Sequence, residues 1–451
     1  MTSTTPPEST RTAGSSAPEA HWSSSLILRI GAISGLVVVS ALLLLVIRLL
    51  ASPATPFFVA LLFISLMVAG QLLVALFARP FTTDDAEARE LDGLRVVVLV
   101  PCYNEDAALL EESLRSMLHQ TRLPSAISVI DDGSLIDYSV VETSVRTAAE
   151  ACGIELHWKR TENHGKRYAL INAARQEPDA DIYMTVDSDS ILDRAAIAEG
   201  LKPFADERIQ SVAGFLLVLN YSEGWLARMM ELLIVSWGLL ERSALSVTGS
   251  VLVNSGACAL YRAEIVRENA ADFLSETILG RPMAFSDDSL LTLFALERGR
   301  AVQQPTSFAF SRMPTAVRPH LVQQARWMRG AIIRAWWRFK YLPLNSIAYW
   351  VLALKWLQFF ISTLVFVFVA YLLLTTGPFN AFLFGLGWLT MQLAISSRYL
   401  ALRRSDQTRR QRWGVYAMVP VMIVWQAIVL HPLRFYAYAT FARTGWGSRK
   451  S

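Results

Sequence analysis

The sequence predicts an α/β domain set between membrane-crossing helices, and three observations carry that expectation. Between residues 80 and 319, apolar runs of strand length alternate with runs of helical spacing, the pattern of a parallel α/β sheet with functional loops at its strand ends. Long stretches almost free of charge lie on both sides, each near or above the roughly 18–20 residues that cross a bilayer. Only 18% of the 451 residues are charged and 53% are hydrophobic, with a mean hydropathy of +0.35. Soluble domains hold about a quarter charged residues. The net charge of +4 is too small to argue for a nucleic-acid partner. Cys102, Cys152 and Cys258 show neither metal spacing nor a disulfide framework, which fits a reducing compartment and small buried side chains.

Residues 1–25 are rich in Ser, Thr, Pro and Ala without apolar periodicity and are expected to be a structureless cytoplasmic tail. The apolar run that follows starts too late and is too long for a signal peptide. Two spans are expected within 26–79, at Leu26–Leu50 and Pro56–Ala78. The α/β domain then begins. Strands are expected at Leu94–Val100, Ala126–Ile130, Ile154–Trp158 and Ile182–Val186, interleaved with helices at Leu109–Leu118, Val140–Ala151 and Arg167–Arg175. A Leu/Trp/Met-rich helical stretch follows at Trp225–Leu245, a strand is expected within Val247–Arg262, and Ser286-Asp-Asp opens another helix.

Residues 320–344 form a separate segment. Met328, Ala331, Ile332, Ala335, Trp336 and Phe339 recur on one helical face, with Arg326, Arg329, Arg334, Arg338 and Lys340 largely off it. An apolar, Trp-bearing face with a basic remainder suits a helix lying in a membrane interface. Within 345–431 three further spans are expected, at Ile347–Leu374, Phe379–Ser397 and Val415–Leu430. The loop Arg398–Trp413 carries six arginines, which places it, the α/β domain and the tail in the cytoplasm by the positive-inside rule. Residues 432–451 are a short tail, interfacial or re-entrant.

The chemistry concentrates at strand ends. Asp181-Ile-Tyr-Met-Thr-Val-Asp-Ser-Asp-Ser190 ends an apolar strand in two carboxylates one residue apart. Alternate side chains of an extended chain share a side, so Asp187 and Asp189 are expected to point together, with Ser188 turned away. Ligands of open α/β sheets bind at such ends. Two hard oxygen ligands suit Mg2+ or Mn2+ held against a diphosphate; a plain turn or helix cap has the same pattern.

Taken in order, the motifs Pro101-Cys-Tyr-Asn-Glu105, Asp131-Asp-Gly-Ser134, His164-Gly-Lys-Arg167, Asp187-Ser-Asp-Ser190, the stretch Ser246–Arg262, Ser286-Asp-Asp-Ser-Leu-Leu-Thr292, Gln323-Gln-Ala-Arg-Trp327, and His431 to Thr440 followed by Gly445-Trp-Gly-Ser-Arg449 resemble family-2 glycosyltransferases. Among these they resemble the membrane-embedded processive synthases, hyaluronan synthases first and rhizobial chitin-oligosaccharide synthases next. The likeness runs from Val97 to the C-terminus. Three departures stand out: Ser286 where a Gly is usual, Ser190 where a Thr is usual, and Gly256-Ala-Cys-Ala in place of Gly-Pro-Leu-Ser.

The resemblance implies a cytosolic GT-A-like nucleotide-sugar transferase domain flanked by transmembrane helices, in a multi-pass protein of the plasma membrane. Asp189 would hold Mg2+ or Mn2+, helped by Asp187 of the same DXD motif. Asp131 and Asp132 would bind nucleotide, Tyr103 and Glu105 would contact uracil and ribose, and Lys166 and Arg167 would supply positive charge beside them. Asp288 aligns with the general base, next to Asp287, which also suits a helix cap. Gln323, Arg326 and Trp327 form the QxxRW motif, where an Arg pairs with diphosphate and an indole offers a platform for a sugar ring. The implied partners are UDP-sugar donors, a growing polysaccharide acceptor and the lipid bilayer, in an inverting reaction with one base and no nucleophile. A glucuronate-using site must also neutralise a carboxylate, and Arg262 and Arg281 stand in the matching region. A chitin-type synthase, a non-processive lipid glycosyltransferase and a non-catalytic transporter or scaffold are the alternative readings.

Overall fold

Val96-Val-Val-Leu-Val100 is fully buried, with alternate residues entering two different cores. Val96, Val98 and Val100 pack with the helices Ala107–Leu118 and Ser139–Cys152. Val97 and Leu99 pack with the helices Lys166–Gln176 and Asp287–Arg298. A strand covered on both faces has no use for polar alternation, so its sequence is a continuous apolar run.

The computed structural model describes residues 17–23, scattered positions within 29–41, 56–375 and 378–445. Most of the tail and of the expected first span, and all of the terminal Trp446–Arg449 motif, lie outside the described residues.

The described strands are β1 (Ala20–Trp22), β2 (Val96–Cys102), β3 (Ala126–Asp131), β4 (Glu155–Arg160), β5 (Ile182–Thr185), β6 (Ser190–Leu192), β7 (Ile209–Val218), β8 (Ala259–Arg262), β9 (Thr277–Ile278), β10 (Arg281–Pro282), β11 (Arg300–Ser311) and β12 (Leu402–Arg404). Eight of them form one sheet in the order β4-β3-β2-β5-β8-β7-β11-β6. The expected parallel sheet is therefore a mixed one. β4, β3, β2 and β5 run parallel, but β8 is antiparallel to both β5 and β7, and β6 is antiparallel to β11. Four of the five expected strands are present with ends shifted by up to two residues, the fifth is β8 within Val247–Arg262, and β6, β7 and β11 were not foreseen.

Two helices among the described residues are long and apolar enough to cross a membrane, Ile347–Phe368 and Arg409–Ala439; Leu62–Phe77 is a shorter apolar helix. Trp350, Leu354, Leu357, Phe360, Leu364, Val367, Tyr371 and Leu374 leave an apolar stripe exposed along the helix Ile347–Thr375, the surface that lipid would cover. The run 409–439 touches the α/β domain near both ends. Tyr221 Oη donates to Asp406 O (2.8 Å) beside one end. Beyond the other, Ala284 N donates to Thr444 O (3.1 Å) and Arg329 donates to Thr440 Oγ1.

Three expectations change. Residues 17–23 are not structureless: β1 pairs antiparallel with β12, and Ala20 N donates to Asp193 Oδ2 (2.8 Å). Trp22 donates to Pro305 O (2.8 Å) and its ring meets Phe215 and Phe308 at 5.2 and 5.7 Å. Among the six loop arginines, Arg398, Arg404 and Arg412 are buried structural groups rather than solvated charges. Arg404 pairs at 2.7 Å with Glu231, both fully buried. Lastly, Arg334 and Arg338 of the helix Val317–Tyr341 turn inward onto the domain, Arg338 bonding Leu252 O, while Trp336 and Phe339 face outward.

Candidate active site

The ends of β2, β3 and β5 open on one cleft of about 930 Å3, within the usual size of small-molecule sites. Its lining includes Tyr103, Glu105, Asp132, Lys166, Asp187, Asp189, Asp287, Asp288, Gln323, Arg326 and Trp327. Eleven of the thirteen expected site residues are therefore brought together from segments more than 200 positions apart. Asp131 and Arg167 are not.

Lys166 is the hub. It begins the helix Lys166–Gln176, and its Nζ lies 2.6 Å from Asp187 Oδ1 and 3.0 Å from Asp287 Oδ2. Burial alone would lower its pKa, but the two carboxylates outweigh that and raise it. Burial would likewise raise Asp287, yet Lys166 holds its carboxyl below the usual range. Asp287 is thus an ion-pair partner rather than a helix cap. Gly256 makes the packing possible: a Cβ there would stand 3.2 Å from Lys166 Nζ and 3.3 Å from both Asp187 oxygens.

Consecutive helical residues point about 100° apart, so Arg167 faces away from the cleft. It donates to Phe273 O and Phe285 O, each at 3.0 Å, and to Glu276 Oε2 at 2.6 Å. Its expected nucleotide contact gives way to a bracing role. Glu276 also takes Arg334 at 2.8 Å, and Arg334 reaches Ser286 O at 3.1 Å. This network holds the carbonyls of Phe285 and Ser286, the two residues that precede Asp287. Ser286 itself has φ 61°, a strained conformation for a residue with a side chain. Asp131 follows the turn reading, accepting Ser134 N at 2.9 Å. Asp132 lines the cleft and accepts His164 N and Gly165 N at 2.9 and 2.8 Å; burial raises its pKa against those two bonds.

Asp187 and Asp189 do converge, but in a turn after β5, closed by Ser190 N to Asp187 O at 2.9 Å, rather than by strand alternation. Ser188 also lines the cleft and donates to Glu105 Oε2 at 3.2 Å. Among the described residues Asp189 receives a single 3.3 Å bond, from Ser190 Oγ. Burial, then Asp187 and Glu105, push its pKa up to about 7. Crowded hard-oxygen donors fit a divalent cation, whose charge would relieve that repulsion.

Asp288 has no cation within ion-pair distance among the described residues; its Oδ1 accepts Ser289 N at 2.6 Å. Burial, then the neighbouring Asp287, raise its pKa to about 6. From the QxxRW motif, Trp327 presents an exposed indole to the cleft, and Gln323 Oε1 is buried without a hydrogen-bond partner among the described residues. Sequence reasoning missed Ser188, Glu276, Arg334, Trp237 and Arg242. The last two line the cleft from a wall whose helix has no motif to announce it.

Comparison with known proteins follows the same outline. Residues 97–269 match the family model for glycosyl transferase family 2. Hyaluronan synthase of Streptococcus pyogenes is 30% identical over 359 residues, covering 79% of this chain and 83% of the relative. An N-acetylglucosaminyltransferase of Azorhizobium caulinodans is 32% identical over 269 residues, 58% of this chain and 67% of the relative. Among solved structures, a mannosyltransferase from Pyrobaculum calidifontis in complex with GDP-Man and Mn2+ superimposes with a TM-score of 0.49 at 18% identity, over 87% of this chain and 99% of that one. The extent of the likeness to the streptococcal enzyme, joined to the family match across β2 to β8, makes the chain a member of glycosyltransferase family 2.

Proposed function

We propose that this enzyme is an inverting, processive, membrane-integrated transferase that polymerises UDP-GlcNAc and UDP-GlcA into a hyaluronan-type β-linked polysaccharide and passes it across the plasma membrane from a cytoplasmic active site. The observation that carries the reading is Asp288: a carboxylate without an ion-pair partner among the described residues, in a cleft that also holds an ammonium, further carboxylates and an indole platform. A base with pKa near 6 is largely ionised at neutral pH and still able to accept a proton.

In the proposed reaction Asp288 takes the proton of an acceptor hydroxyl. The hydroxyl oxygen bonds to the donor anomeric carbon as that carbon's bond to the UDP oxygen breaks on the opposite face. UDP leaves with the bonding pair, and the configuration inverts. Mg2+ or Mn2+ held at Asp189 with Asp187 would supply charge neutralisation for the departing diphosphate. Arg326 adds positive charge to the cleft, and Lys166 holds Asp187 in place and keeps Asp287 ionised. Trp327 offers its ring to the acceptor sugar, and the free Gln323 Oε1 offers an acceptor to a sugar hydroxyl. Tyr103 and Glu105 would contact uracil and ribose, and Asp132, which lines the same cleft, would bind the nucleotide.

For the membrane we read two early spans, two late spans at Ile347–Thr375 and Pro378–Ser396, and the run 409–439 along the membrane face of the domain. Its contacts with the domain near both ends favour this lie over a fifth crossing. Both termini are then cytoplasmic, in keeping with the pairing of β1 to the loop strand β12.

Product analysis tests the function. Membranes given both labelled donors should make a hyaluronidase-sensitive polymer, and much less with either alone. The likeness to a rhizobial N-acetylglucosaminyltransferase supports a second reading, a chitin-type synthase. Undiminished polymer from UDP-GlcNAc alone, resistant to hyaluronidase and cut by chitinase, would select it.

A further inference from the structure

An enzyme that adds a uronic acid in every second step must hold a carboxylate in its cleft without trapping it elsewhere. Arg262 and Arg281, the candidates named from the sequence, are not placed to do so. Arg262 is bonded to the carbonyls of Ile209 and Phe204, and Arg281 lies on the exposed β9–β10 hairpin. The cations that do line the cleft are Lys166, Arg242, Arg312 and Arg326. Lys166 is neutralised by Asp187 and Asp287. Arg312 pairs with Glu223 at 2.9 Å, and Arg326 already has an interaction partner. Arg242 makes no hydrogen bond or ion pair with any described residue.

Its position is built. The helix Trp225–Trp237 widens into a π-helical turn over Gly238–Arg242 before resuming at Ser243–Val247. Such turns insert one extra residue and re-aim the side chains that follow. Gly238 is needed where the turn starts, because a Cβ there would meet the Phe215 ring at 2.9 Å. The neighbouring carboxylate that could quench Arg242 is committed elsewhere: Glu241 pairs with Lys355 of the helix Ile347–Thr375. Burial depresses the pKa of Arg242, with the charges of Glu241 and Asp288 acting the other way. Trp237, half exposed, lines the same wall. An indole for a sugar face beside a guanidinium for a carboxylate is the chemistry of a uronic-acid subsite.

We propose that Arg242 is the specificity-determining residue that binds the carboxylate of the acidic sugar in the cleft. This rests on the two-donor reading above. The test uses the full-length enzyme in membranes, as wild type, Arg242→Gln and Arg242→Lys. Two rates are measured: UDP release with UDP-GlcNAc alone, and polymer formation with both donors. A charged hydrogen bond is worth about 1.5–3 kcal/mol, so the Gln variant should lose about 30-fold in two-donor polymerisation. Its UDP release from UDP-GlcNAc alone should fall by less than about threefold, which also reports a folded cleft. The Lys variant should recover part of the loss. Equal losses in both rates, or none in polymerisation, would overturn the assignment. A wild-type enzyme whose polymer formation ignores UDP-GlcA would instead remove the two-donor reading, and the role of Arg242 with it.

Discussion

Lys166 Nζ bridges two motifs that lie 100 residues apart, 2.6 Å from Asp187 and 3.0 Å from Asp287. Each carboxylate is more than half buried, and both pair with the same ammonium. Removing one partner of a buried ion pair costs about 3–5 kcal/mol because the other is left uncompensated. Lys166→Met is therefore expected to lower turnover by at least about 100-fold and to weaken UDP binding. Lys166→Arg should recover only part of the loss, since a planar guanidinium cannot place one nitrogen at the ammonium's position between Asp187 and Asp287 without moving them. Turnover assays and calorimetry on purified protein check both; a Lys166→Met enzyme within tenfold of wild type would remove Lys166 from the hub.

Asp288→Asn should separate chemistry from binding. Only proton removal from the acceptor is lost, so UDP affinity should stay near normal while transfer falls by about 100-fold or more. In the wild type, the rate should fall about tenfold per pH unit below about 6 as the base is protonated. The same shift sets a stability trend. A carboxyl whose folded pKa lies above its unfolded value favours the fold at low pH, and that contribution is lost as pH rises through the folded pKa. At pH 7 the ionised Asp288 is then a net cost, and Asn should raise the thermal midpoint as it removes activity. A lower midpoint, or lost UDP binding, would assign Asp288 a structural part instead.

Asp189→Ala should abolish turnover while the protein still inserts and folds, and chelation of divalent ions should do the same to the wild type. The relief of carboxylate crowding at Asp189, Asp187 and Glu105 gives a readout besides activity. The melting temperature of wild type should rise on adding Mn2+, and that of Asp189→Ala should rise far less. Near-full turnover in EDTA, or an equal rise in the variant, would dismiss the metal assignment.

Much of this site was legible because its chemistry sits at the ends of locally coded strands. Val96–Val100 and Ile182–Thr185 announce themselves by continuous apolar character, and their ends deliver Tyr103, Asp187 and Asp189 to the cleft. What was hidden depends on tertiary placement. Arg167 follows Lys166 in one motif, and nothing in the order of two basic residues says which one faces the cleft; the helix phase decides it. Glu276 and Arg334 look like solvated charges until the helix Val317–Tyr341 docks and buries them. Arg242 shows itself only through a π-helical turn. β7 and β11, with Gly214 pressed against Cys258 and a polar Gln303-Gln304 in mid-strand, lack the pattern that identified β2. Parallel and antiparallel neighbours look alike in a single strand, so the mixed order of the sheet could not be read from them.

The β1 segment makes a last prediction, because besides pairing with β12 it is bonded next to the strand that follows the DXD motif. Asp193, one residue beyond β6, accepts Ala20 N, and Trp22 closes over Phe215 and Phe308 of β7 and β11. β6 itself is three residues long and hangs on the sheet edge by its pairing with β11. Ser113 and Ser116 of the helix Ala107–Leu118 also hold it, at Ser190 O and Leu192 N, and the strap of residues 20–22 adds the bond at Asp193 that steadies this edge beside the Asp189 turn. Burying Trp22 is worth about 2–4 kcal/mol, below the full cost of removing a wholly buried Trp because the ring is only partly covered. Trp22→Ala should lower the thermal midpoint in detergent and expose the N-terminal segment to protease. It should also raise the Mn2+ concentration needed for half-maximal turnover more than it lowers the maximal rate. Trp22→Phe keeps most of the packing and loses one hydrogen bond, about 1 kcal/mol, so its effects should be small. A Trp22→Ala enzyme with lowered stability but an unchanged Mn2+ requirement would reduce the strap to a clamp with no bearing on the metal turn.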